Sequence, residues 1–275
     1  MSVHITPDLL ADPDLYSLSH ARIGFHSHLN ESAVNLTATA GAEGFPAQSM
    51  TNPATWERYK LSLSPSTITI VNSFGGMSFD YIAIGSHSLA GCTIHIHSSS
   101  DGITWDEIVA PTSIVDNNAI MFMFLPEFKS QCRLTITGVV SEFVSPKTIG
   151  HIKIGQLLKM HRPIYGGHSP ITLSLNNVTK PAVSEKGQWL GASIQRRGMK
   201  TKFSWKNIDP AWYRTYFQSF VDSEPTANPF FIAWSPFKHS DEVGYCLASS
   251  DIKPTNSGTR NYMDVSLSVD GFSDV

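Results

Sequence analysis

The sequence predicts a mainly β protein: a jelly-roll β-sandwich first, then an α+β unit built as an antiparallel barrel with one packed helix. Three observations predict it. Short apolar or alternating runs rich in β-branched residues recur from about residue 34 to 155, punctuated by Gly, Ser, Asn and Pro. The stretch 161–170, HRPIYGGHSP, carries two prolines and a glycine pair and interrupts them. The strand pattern then restarts, and over 209–222 the apolar period lengthens from two to between three and four. The chain has 275 residues, enough for about two units at ~150 residues each, and each can bury a core without disulfides or metals.

Taken in order, residues 1–33 read as an N-terminal extension. Their start, MSVHITPDLLADPDLY, is acidic and lacks the basic and apolar regions of a signal peptide, so none is expected. The jelly roll is placed at 34–160. Its strands are STITIV (66–71), YIAIGS (81–86), CTIHIHS (92–98), AIMFMFL (119–125), CRLTITG (132–138) and HIKIGQLL (151–158). Six such strands joined by turns form a sandwich or jelly roll. Residues 161–170 form a linker that packs through Ile164 and Tyr165. The second unit, 171–275, opens with strands ITLSLNN (171–177), WLGASIQRR (189–197) and TKFSWKNI (201–208). The helix 209–222 follows, with Asp209 as N-cap and Pro210 at the first helical position. Trp212, Tyr213, Tyr216, Phe217, Phe220 and Val221 recur at helical spacing, which marks a core-facing side. PFFIAWS (229–235), VGYCLAS (243–249) and NYMDVSLSVDGF (261–272) close the unit as strands.

Charged residues make up only 16% of the chain, aromatics 11%, and the net charge is −3. No electrostatic footprint for nucleic acid follows, although Arg196, Arg197, Lys200 and Lys202 form a local basic run. No run of 18 apolar residues is present to span a membrane as a helix. Cys92, Cys132 and Cys246 are odd in number and widely spaced, which argues against a disulfide framework and a Cys-based zinc site and fits a reducing cytoplasm.

Catalytic patterns are missing. The chain has no Gly-x-Ser-x-Gly elbow, phosphate-binding Gly-x-x-x-x-Gly-Lys loop or Gly-x-Gly-x-x-Gly fingerprint. Asp101 with Asp106 or Glu107 would pair acids for glycoside hydrolysis only at a separation that spacing does not give. His95 and His97 share one strand face, and His26 and His28 have the same spacing. A metal needs a third ligand and an oriented outer shell. SSSDG follows His97 and no Glu stands at cupin-like spacing, so no metal, cofactor or catalytic residue is expected.

With these elements in place, a resemblance emerges. ATAGAEGFPAQSMTNPATWERYKL, then FDYIAIGSHSLAGCTIHIHSSSDGITWDEI, CRLTITG and IGHIKIG, occur in an order that resembles the discoidin, or coagulation-factor C-type, branch of galactose-binding-like jelly rolls. Thr55 and Trp56 match its first element, Ser99, Asp101, Gly102 and Trp105 its second, and Arg133 and Leu134 its third. Asp101-Gly102 then supplies a tight hairpin and Trp105 a ring covering the end of the core. The resemblance implies ligand contacts on loops at one end, where Trp56 and Arg58 are the nearest candidates for a sugar or an anion. The commoner role for each is structural: Trp56 as core, Arg58 as a solvated strand residue. Asn52 stands where the family often has an acid, which weakens a calcium role.

The whole chain resembles minor tail proteins of the tail tip or distal tail of long-tailed (siphovirus-like) phages and prophages. Its second unit, with PFFIAW, GY and VSL in order, is similar to a tail-tube-like β-barrel with one flanking helix. This implies a virion tail component assembled in the host cytoplasm. It would form threefold or sixfold rings of its own copies and contact the tail tube, hub and tape measure. The jelly roll would project for packing or host-surface contact. The alternatives are a carbohydrate-binding protein recognising surface glycans and a metal-dependent jelly-roll enzyme.

Overall fold

The computed structural model describes residues 2–11, 18–39, 41–62, 64–138, 147–258 and 261–272. The chain is mainly β. Its first half holds two five-stranded sheets. One runs β1 (Val3–Ile5), β9 (Ile120–Lys129), β6 (Met77–His87), β11 (Thr148–Gly155), β4 (Tyr59–Lys60). The other runs β3 (Val34–Ala38), β5 (Ser66–Asn72), β10 (Gln131–Thr137), β7 (Thr93–Ser99), β8 (Asp106–Ser113). Pairing is antiparallel except for β1 on β9. The alternation read from the sequence explains the sandwich. Ile68, Ile70, Ile94, Ile96, Leu134 and Ile136 project from one sheet onto Ile82, Ile84, Phe122, Phe124, Ile152 and Ile154 of the other. β8 is the second arm of the expected hairpin at Asp101-Gly102, though its own run has no readable apolar pattern. It carries Pro111 and little apolar surface because it lies at a sheet edge, where a missing N–H is tolerated.

The second half is one antiparallel sheet in the order β12 (Leu158–Lys159), β2 (Arg22–Gly24), β16 (Phe230–Ala233), β17 (Val243–Ala248), β19 (Tyr262–Phe272), β15 (Gly198–Ile208), with β18 (Thr255–Ser257) paired to β19. The aromatic helix packs on it as expected. Asp209 caps it, its carboxylate accepting from the Ala211 and Trp212 amides at 2.8 and 2.9 Å. A π-helical turn over Tyr213–Phe217 interrupts it between Pro210–Trp212 and Gln218–Asp222. Tyr213, Phe217 and Phe220 enter a core with Phe203, Trp205, Phe230, Ile232, Leu267 and Val269. β13 (Val178–Val183) and β14 (Trp189–Arg196) form a separate two-stranded hairpin.

Two expectations are corrected. The stretch 1–33 is not an appendage, because it supplies β1 to the first sheet and β2 to the second-half sheet. Residues 171–177 do not form a strand. Ile171–Leu173 is a 3-10 turn that drives Ile171 into the second core, and only Leu175 bridges to Met199. In the connection 161–170, Ile164 packs on the second core, whereas Tyr165 is exposed beneath the Lys206 ammonium at 4.0 Å.

The halves meet at a seam with its own core. β6 and β9 turn Tyr81, Ala83, Met121 and Met123 away from the jelly-roll interior, onto Phe231, Ala233, Val243 and Tyr245 of the second-half sheet. The same alternation sends Phe230 and Ile232 to the helix side. β11 brings two titratable groups into this seam. Burial, then the nearby Lys153, lowers the His151 imidazole to about 3, so it stays neutral against the Phe231 and Tyr245 rings. Lys153 donates to the carbonyls of Phe25 at 3.0 Å and Pro229 at 2.5 Å. Its burial lowers its pKa to about 8. Below that value the folded state carries a buried charge. Above it the folded state sheds a proton that the unfolded chain holds until about 10.4. This group therefore makes stability rise with pH between those values. Chemical denaturation at pH 7.5 and pH 10 should find the wild type gaining about 2 kcal/mol relative to Lys153→Met over that window. Parallel pH profiles for the two proteins would contradict the assignment.

Candidate functional site

The loop between the 3-10 turn Ala47–Thr51 and β4 presents Trp56. The ring is 79% exposed, so its expected core role is corrected. The loop is tied at several points. The Asn52 carboxamide oxygen accepts from the Ala54 amide at 2.9 Å, and its nitrogen donates to Glu57 at 3.0 Å. Arg58 is half-buried, donating through Nε to Thr55 O at 3.2 Å and through Nη2 to Ser86 Oγ at 3.0 Å. Arg58 is thus a strut tying this loop to β6 rather than a solvated strand residue. From the second-half sheet, the Tyr245 hydroxyl donates to Pro53 O at 3.0 Å. No local pattern signals this brace, because its partners lie 192 positions apart. The result is an exposed indole on a fastened loop, a surface suited to stacking on an apolar ring face.

The stretch SSSDGITW forms the expected clasp. Gly102 has φ +74°, a conformation that side chains disfavour. Asp101 Oδ1 accepts from the Ile103 and Thr104 amides at 2.8 Å and from Ser99 Oγ at 3.0 Å. Ser99 Oγ in turn accepts from the Gly102 amide at 2.8 Å. Trp105 is only half-buried. Its indole donates to Gly102 O at 3.2 Å and its ring lies 4.0 Å from the Arg133 guanidinium, so it braces the turn instead of capping the core.

The acids of this hairpin do not pair with one another. Asp101 serves the clasp, Asp106 meets Lys129 Nζ at 2.8 Å, and Glu107 meets His95 Nε2 at 2.6 Å. The last contact corrects the expectation that the His95/His97 pair lacks a nearby acid. Two register shifts between β7 and β8 bring Glu107 opposite His97. His26, His28 and Glu31 form a second such group. It borders a cavity of about 700 Å³ between the halves, lined also by Gln156, Tyr216 and Asp222.

No known protein family matches the chain, and no curated protein is similar to it. Solved structures are similar over just under half of it. CpGH89CBM32-6 produced by Clostridium perfringens has 16% identity and a TM-score of 0.40, covering 47% of this chain and 98% of that one. A pectin binding carbohydrate binding module has 20% identity and a TM-score of 0.36, over 44% and 88%. A Ruminococcus gnavus GH29 fucosidase in complex with fucose has 10% identity and a TM-score of 0.41, over 48% and 26%.

The clasp has a pH signature. Hydrogen bonds from the Thr104 and Ile103 amides, then from Ser99, hold the Asp101 carboxyl down at about 2. The stabilisation it provides is present above the ordinary carboxylate range and is lost as pH falls through about 2. The Ile103 and Thr104 amide resonances should titrate with that midpoint and stop doing so in Asp101→Asn. A midpoint near 4 would contradict the clasp.

Proposed function

We propose that this protein is a structural, non-catalytic component of a phage tail tip. In this reading copies of the second half close into a ring and the jelly roll projects outward. The sequence resemblance suggests the setting, and the β13–β14 hairpin carries the reading. Every residue of β13 is exposed, and Val183, Trp189 and Ile194, which share one face through the pairs Val183–Trp189 and Thr179–Ile194, and Leu190 beside them stand between 51% and 68% accessible. A two-stranded hairpin in water is marginal, and an apolar patch of this kind marks an interaction surface. Covering Trp189, Leu190 and Ile194 with a neighbouring copy would contribute roughly 2 kcal/mol each. A head-to-tail contact closes a ring where its rotation is a whole fraction of a turn, as the proposed threefold or sixfold ring requires. The division of Asp101, Asp106 and Glu107 among separate partners agrees with a role without catalysis.

A second reading is favoured by a specific observation, the 79% exposure of Trp56. On it, the jelly roll takes a surface glycan by stacking on this ring. One protein can do both, with a ring displaying several weak sites at once.

Two measurements test these readings separately. Sedimentation of the wild type should give a closed oligomer, and Trp189→Ser combined with Ile194→Ser should give monomer with an unchanged fold. A wild type that stays monomeric at high concentration and binds no other tail protein would overturn the assembly reading. On a glycan array, selective binding by the wild type should fall at least tenfold in Trp56→Ala. Binding that survives this substitution, or none at all, would remove the glycan reading.

A further inference from the structure

We propose that His26, His28 and Glu31 form a binding site for a divalent transition-metal ion of the zinc class at the seam between the two halves. One nitrogen or oxygen from each residue lies within 4.8 Å of the others. His28 is the anchor, with a side chain only 12% exposed. Its Nε2 lies 2.7 Å from the Ser78 carbonyl, which can only accept, so Nε2 carries the proton. Nδ1 is thereby turned toward Glu31 Oε1, 2.6 Å away. At that distance a hydrogen-bonding proton, not an ion, fits between the two atoms, and a metal ion would take its place only as the half-exposed Glu31 carboxylate swings outward. Donation of the outer nitrogen to a carbonyl is how metal-ligating histidines are commonly oriented.

His26 is set independently. The Tyr81 hydroxyl donates to its carbonyl at 2.5 Å. Its ring rests over Gly155, where an added Cβ would come within 3.0 Å of Nδ1. Nε2 is left 3.9 Å from Glu31 Oε1. Tetrahedral zinc places its ligand atoms about 3.3 Å apart. Small rotations of the half-exposed Glu31 and His26 side chains around a stationary His28 therefore have to widen the 2.6 Å contact and shorten the 3.9 Å one. Three protein ligands leave a fourth position, filled by water or by an acidic or hydroxyl group entering the adjoining cavity. Both clusters have a positive charge nearby, Lys153 at His26 and Arg133 at His97, but His95, His97 and Glu107 make a poorer site because, among the described residues, no backbone carbonyl orients either ring as Ser78 orients His28.

The test uses the full chain, stripped with a chelator, freed of any affinity tag and titrated with zinc sulfate by calorimetry. One equivalent should bind, and the thermal midpoint should rise by about 5 °C at a hundredfold excess over Kd. His26→Ala and Glu31→Gln change half-exposed side chains. Each should weaken binding at least tenfold while the metal-free protein still melts cooperatively, with at most a small drop in midpoint from the lost contacts to His28. The proposal is overturned if no zinc binds at pH 7.5, or if these variants bind like the wild type. It is also overturned if His95→Ala abolishes binding, which would place the ion on the other cluster. In the first case His28 and Glu31 are only a hydrogen-bonded pair.

Discussion

β6 and β9 are apolar on both faces, and this property joins the two halves. A jelly-roll sheet normally has one face toward its core and one toward water. Here Ile82 and Ile84 fill the sandwich, while Tyr81 and Ala83, one position away, require a second covering layer. β16 and β17 supply it through Phe231, Ala233, Val243 and Tyr245. Backbone closeness makes the fit specific. A Cβ at Gly85 would lie 3.1 Å from the Phe231 and Tyr245 rings, and one at Gly24 would lie 2.6 Å from Tyr81. The contact is continuous core rather than a hinge, and Lys153 ties it by donating to carbonyls from both ends of the chain.

The seam also explains where the functional surfaces lie. Tyr245 uses its ring in the seam and its hydroxyl on Pro53, so the loop that displays Trp56 is braced from the second half. Tyr81 does the converse, with its ring in the seam and its hydroxyl on His26, at the start of the turn that carries His28 and Glu31. Each tyrosine buries its body and uses its polar end on a loop, satisfying the hydroxyl while removing freedom from the loop.

Much of this was legible in the sequence and some was not, for identifiable reasons. Strands such as Thr93–Ser99 and Gln131–Thr137 alternate strictly because one face meets a core, and their period is readable. The helix was readable through Asp209, Pro210 and the spacing of its aromatics. β1, β2 and β12 were not, because strands of two or three residues are too short to show a period. The role of 1–33 was missed for the same reason. Glu107 escaped notice as a partner of His95 because the register shifts between β7 and β8 leave no trace in spacing. Exposure of Trp56 was equally hidden, since a tryptophan beside Arg58 and Tyr59 reads as well for core as for surface.

The hairpin β13–β14 points the same way as the seam but from the opposite side. Its pairs, Val183 with Trp189 and Thr179 with Ile194, bring branched and aromatic side chains together across the strands, which is how a sheet is stabilised. Yet no layer covers them among the described residues, whereas both faces of β6 and β11 are covered. The positions β-branched or aromatic in β14 are those an added layer would bury, and Gly191 at φ +136° lets the ribbon bend between them. On the proposed assembly, a second copy would give this two-stranded ribbon the third element that makes such a ribbon stable.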